Sequence, residues 1–85
     1  MAIAKSETSG ITLKVRGTQP GVQFYTSQFL NGKGGKHGNN YEEQTAFCLE
    51  TQHYPDSPNQ PNFPSTLLAP ENEYREVSQF VFSTE

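Results

Sequence analysis

Residues Phe47–Pro64 read FCLETQHYPDSPNQPNFP. The periodicity of Thr45–Glu50 predicts a strand, with Phe47 and Leu49 on one face and Ala46, Cys48 and Glu50 on the other. Glu50 stands at the end of that apolar run, and a segment dense in Pro, Asn and Gln follows at once. Five of the six prolines fall between Pro55 and Pro70. Each lacks a backbone donor and has a fixed φ, so a long helix is excluded there. A strand that ends in an acid and breaks into a stiff polar loop is a way to build a site: the scaffold holds the acid and the loop surrounds it.

The flanking segments carry the same kind of signal. Ile11–Arg16, ITLKVR, alternates strictly, with Ile11, Leu13 and Val15 on one face. Gln19-Pro20-Gly21 is a turn signal. Val22–Thr26 predicts the next strand, with Val22, Phe24 and Thr26 on one face and Gln23 and Tyr25 on the other. Ser65–Leu68 predicts a short extended piece, Pro70–Tyr74 a polar turn and Tyr74–Phe82 a final strand. Asn31–Asn40, NGKGGKHGNN, predicts a mobile loop, because glycine loses much backbone entropy on ordering and nothing apolar lies within the segment. The fold class is all-β, with antiparallel strands joined by loops.

Composition narrows the function. The 85 residues carry a formal net charge of -3 and are 32% hydrophobic, well below the roughly 45–50% of ordinary domains. The mean hydropathy is -0.75. So lean a chain predicts a partial domain that needs a larger body. No basic patch with interleaved aromatics occurs, so nucleic acid is not an expected partner. The N-terminus has no apolar leader and no segment is long enough to span a membrane, so neither secretion nor membrane contact is expected. A single cysteine, Cys48, forms no intrachain disulfide and fits a reducing, cytoplasmic setting. No metal is expected, since one Cys and two scattered His lack ligand spacing.

Glu50 reads in two ways: as a solvated carboxylate at a strand end, or as a general base under a poly-hydroxyl ligand. The small residues on its face leave room for a ligand. Thr51, Gln52, His53, Asn59, Gln60 and Asn62 can donate or accept without the desolvation cost of a charge. Gln23 reads as an outward polar position or as a ligand contact beside Tyr25. GKGGK fits no phosphate-binding loop. His37 reads as a solvated loop residue, and His53 as a site liner or a loop histidine bonded to backbone. Cys48, with no base to activate it, reads as small-residue packing.

Three stretches together resemble a known family: QPGVQFYTSQFLNG at Gln19–Gly32, FCLETQHYPDSPNQPNFPS at Phe47–Ser65, and L-x-P-x-x-x-Y at Leu68–Tyr74. They are similar to the C-terminal part of the aldose 1-epimerases, or galactose mutarotases. SETSGITLKV at Ser6–Val15 resembles the family's preceding strand–turn–strand. The resemblance implies that residues 1–85 are a partial domain, the C-terminal part of a galactose mutarotase-like β-sandwich. It also implies interconversion of the α and β anomers of hexoses such as galactose and glucose. By this resemblance the Glu of LETQ, Glu50, is the general base, and the Gln of PG-x-Q-F-Y, Gln23, contacts the sugar. The family's general-acid His and its other sugar contacts belong to upstream segments, and neither His37 nor His53 stands in the acid's motif. Glu71-Asn72 departs from the family's usual Gly-Glu turn. The chain therefore reads as a truncated piece that self-associates. The alternative function is a non-catalytic carbohydrate-binding or interaction remnant.

Overall fold

The computed structural model describes residues 1–84. Five strands occur: β1 (Ala2–Lys5), β2 (Ile11–Gly17), β3 (Gly21–Tyr25), β4 (Cys48–Gln52) and β5 (Ser78–Thr84). Two 3-10 turns, Lys36–Gly38 and Ser57–Asn59, are the only helical pieces among the described residues. The strands form two antiparallel sheets, one ordered β1-β2-β5 and the other a β3-β4 pair.

In the larger sheet, Ala4, Leu13 and Phe82 lie in one cross-strand row, and Ala2, Val15 and Phe80 in the next. The alternation of ITLKVR thus builds one apolar face, as expected. Val15, at the middle of the second row, is the one hydrophobic residue buried outright among those described. In the pair, Phe24 lies opposite Leu49 and its ring meets that of Phe47 edge-on, with centroids 6.2 Å apart.

The sheets meet where Thr51 of β4 and Ser78 of β5 share a hydroxyl–hydroxyl bond of 2.7 Å. Further along they part. Ala4, Ile11, Leu13, Phe47 and Phe82 line an apolar cleft of about 310 Å³.

Several sequence-based boundaries need correction. The first strand, Ala2–Lys5, has no place in the periodicity reading, because a lone Ile3 between alanines gives no alternation to follow. The final strand begins at Ser78, not Tyr74. β2 ends at Gly17, whose partner is Ser78, so the residues before Ser78 have no ladder to join. Thr18 takes over there: its N–H donates to the Val77 carbonyl at 3.1 Å, and its hydroxyl accepts the Val77 N–H at 3.0 Å. Ser65–Leu68 pairs with no strand. β4 spans Cys48–Gln52, not Thr45–Glu50. β3 stops before Ser27, whose φ of 58° breaks the strand. The Ser27 hydroxyl then donates to the Ala46 carbonyl at 2.8 Å, holding the chain outside the ladder.

Candidate functional site

The register of the β3-β4 pair decides the site. Gly21 lies opposite Gln52, Gln23 opposite Glu50, and Tyr25 opposite Cys48. Directly opposed residues of an antiparallel pair share a face, and residues two apart on one strand share it too. All six therefore lie on one face. Gln23 and Glu50 occupy its centre, and both are exposed. Directly opposed Cβ atoms stand about 4.5–5.5 Å apart, so a neutral amide and a carboxylate lie side by side on this face.

Glu50 is thus the middle residue of its strand and not its end. This matters for placement. Ladder bonds on both sides hold a mid-strand residue, which a loop acid lacks. Its expected neighbours also change. Cys48 shares its face but Ala46 lies outside the strand. The added neighbour is Tyr25, across from Cys48. The Cys48 thiol is exposed, so packing does not explain it.

The loop after β4 folds back over the same face. Tyr54 rests on Gly21: a Cβ built there would lie 3.0 Å from Tyr54 Cδ1 and 3.1 Å from Cε1. A side chain at this point would press on the ring by a few tenths of an ångström. The Tyr54 ring also meets Phe63 edge-to-face, with centroids 5.2 Å apart. A tight turn holds it there. The Tyr54 carbonyl accepts both the N–H (3.2 Å) and the hydroxyl of Ser57, a buried residue. Asp56 adopts a left-handed conformation with φ of 62°, which aspartate tolerates. Its carboxylate accepts from Asn59 Nδ2 at 2.6 Å and Gln60 Nε2 at 3.0 Å. Those two amides hold the Asp56 carboxyl below the usual aspartate value. Asn59 and Gln60, expected among the ligand-facing groups, are committed here to Asp56.

The two histidines are placed differently. His53 is half-buried just beyond β4. His37 is exposed in the 3-10 turn Lys36–Gly38, with φ of 59°. Neither stands in the row of six. Residues Asn31–Asn40, expected to lack an apolar anchor, have one immediately outside the segment. The Tyr41 ring lies against Gly32 and Gly35, and its hydroxyl accepts the Lys36 N–H at 2.8 Å.

Sequence reasoning brought Glu50 and Gln23 forward separately; their pairing and the position of Tyr54 are new. The signal for Tyr54 was Gly21, read only as part of a turn. Its missing side chain also makes room for a ring 33 positions away in sequence, and only the register shows that.

Known proteins resemble this chain along most of its length. The family model described as aldose 1-epimerase matches residues 1–81. Galactose mutarotase of Bos taurus is 54% identical over 76 residues, which are 88% of this chain and 22% of that protein. Galactose mutarotase of Mus musculus is 51% identical over 83 residues, 96% of this chain and 24% of that protein. Aldose 1-epimerase of Escherichia coli is 35% identical over 77 residues, 88% of this chain and 22% of that protein. The chain thus spans under a quarter of the length of these relatives.

Proposed function

The chain belongs to the aldose 1-epimerase family, and from that premise we propose that it supplies the general base and one sugar-binding amide of an enzyme that interconverts the α and β anomers of hexoses such as galactose and glucose. The observation that carries this reading is the pairing of Gln23 with Glu50 across β3 and β4 on one open face. In the proposed reaction Glu50 takes the proton of the anomeric hydroxyl. An acid gives a proton to the ring oxygen, and the C1–O5 bond breaks to leave an open-chain aldehyde. Rotation about C1–C2 turns the other carbonyl face toward O5. The same proton transfers in reverse then close the ring. Gln23 is neutral and holds a sugar hydroxyl. Both groups stand on rigid strands, so they meet the substrate already placed. We read the two sheets as part of a β-sandwich. The facing rows of Leu13, Phe82 and Phe47 around one apolar cleft support that reading.

A second reading has its own support. The row Gly21, Gln23, Tyr25, Cys48, Glu50, Gln52 contains no imidazole, so the acid has to come from outside it. Without that acid the face would bind a sugar and not turn it over.

The test is an exchange. This chain replaces the matching segment of bovine galactose mutarotase, and Glu50→Gln is introduced. Loss of a general base is expected to lower turnover by roughly 10²–10⁴-fold, read by polarimetry of fresh α-galactose. Turnover within a few-fold of the unmutated hybrid would remove Glu50 from the mechanism.

A further inference from the structure

The site face has an aromatic wall that the reading above does not use. The row of six begins at Gly21, two residues before Gln23. Where Gly21 has no side chain, the Tyr54 ring occupies the space, with its Cδ1–Cε1 edge toward the sheet. Strand rise puts Gly21 about 7 Å from Gln23 along the chain, and the diagonal from Gly21 to Glu50 is of similar length. That is about the breadth of a pyranose ring. Tyr54 is 40% exposed, so it is open to solvent on this surface. Phe63 and the Ser57 turn hold it still, so little side-chain entropy remains to be lost on binding.

A pyranose has hydroxyls at its rim and C–H groups on its faces. The paired amide and carboxylate serve the rim, and a rigid aromatic ring serves a C–H face. Aromatic walls with a few placed polar groups are the usual make-up of a small-molecule site. We infer that Tyr54 is the stacking platform for the C–H face of the hexose, seated by Gly21 and braced by Phe63. The inference rests on the proposed sugar site and adds to it a residue that touches substrate through its ring, not its hydroxyl.

The test uses this chain within the hybrid enzyme described above, with D-galactose as the probe. Binding is followed by saturation-transfer NMR on the sugar protons and by the Tyr54 ring resonances. In the unmutated chain the Tyr54 ring is expected to shift on titration, and H3, H4 and H5 of galactose to receive the strongest saturation. Tyr54→Ala should weaken affinity about five- to tenfold, the scale of one aromatic contact. Tyr54→Phe should stay within twofold, because the ring is kept. Gly21→Ala leaves Tyr54 intact but puts a methyl 3.0 Å from the ring edge, so the ring must shift and binding should weaken with no loss of a sugar-contacting group. It keeps the test decisive should Tyr54→Ala fail to fold.

Glu50→Gln separates this inference from the reading it rests on. Saturation of H3–H5 that survives Glu50→Gln and is lost in Tyr54→Ala supports the platform whether or not Glu50 is the base. A Tyr54 ring that does not respond to galactose overturns the inference. So does an affinity unchanged in both Tyr54→Ala and Gly21→Ala.

Discussion

At the scale of single residues, Gln23 and Glu50 differ in what their loss should do. Gln23 has no basic group, so Gln23→Ala in the hybrid enzyme is expected to raise KM for galactose and leave kcat nearly unchanged. The expected cost is about 0.5–1.5 kcal/mol, one neutral hydrogen bond. An unchanged KM would take Gln23 out of the site. Asp56 gives a pH expectation. The Asn59 and Gln60 amides depress its carboxyl below the ordinary aspartate value. A group depressed in the folded state contributes stability above its unfolded value and loses it as pH falls through the folded one. The Tyr54–Gln60 turn is therefore expected to hold at neutral pH and to loosen only below the ordinary aspartate range. Asp56→Asn should remove that acid dependence. Amide exchange at Ser57 and Gln60, both donors within the turn, followed from pH 6 down to pH 3, checks it. Equal acid sensitivity in the variant would show that another group governs the turn.

At the scale of elements, strand ends follow partners more than patterns. Tyr74–Phe82 alternates as a strand should, yet pairing begins only at Ser78, because β2 ends at Gly17. Thr18 then does for Val77 what a ladder would. It binds the Val77 N–H and carbonyl, and its hydroxyl also donates to the Glu76 carboxylate. A second tie lies close by, where Gln19 Nε2 donates to the Tyr74 hydroxyl at 2.7 Å. Thr18→Val keeps the shape and removes the hydroxyl. It is expected to cost about 0.5–1.5 kcal/mol and to raise amide exchange at Val77 and the start of β5. Thr18→Ser should keep most of the stability. Equal melting temperatures for the hybrid enzyme with and without Thr18→Val would show that the ladder alone sets β5.

At the scale of the whole molecule, the chain is open. Its accessible surface is 7031 Å², against about 5,000 Å² for a folded monomer of this mass. Its radius of gyration is 16.8 Å, against about 12 Å for a compact domain of this length. Phe29 is 83% exposed and Phe82 68%. The β1 and β5 edges of the larger sheet and both outer edges of the β3-β4 pair have no strand beside them. Apolar faces and unpaired edges promote association with other chains. The isolated chain is therefore expected to self-associate and to melt without a sharp transition. It is also expected to leave mutarotation of galactose at the buffer rate, since its base has no acid partner in the site row. Sedimentation across a concentration series, with polarimetry on the same samples, checks both. A monodisperse monomer that melts cooperatively and speeds mutarotation would defeat the expectation.

Much was legible in the chain itself. Alternation in Ile11–Arg16 and Val22–Thr26 marks strands and their faces, because side-chain period is a local property of extended backbone. LETQ and PG-x-Q-F-Y single out Glu50 and Gln23, because a motif is a local arrangement. Pairing is not local. The register that sets Gln23 against Glu50, the slide of β4 to Cys48–Gln52 and the start of β5 at Ser78 depend on ladder bonds between segments far apart in sequence. The seat of Tyr54 on Gly21 is of the same kind: a ring from one loop fills the space left by a glycine 33 positions earlier. Sequence by itself determined which residues alternate and which stand in motifs shared with a family. Only the tertiary structure decided which of them share one face, because that depends on hydrogen bonding and packing between strands that no single segment encodes.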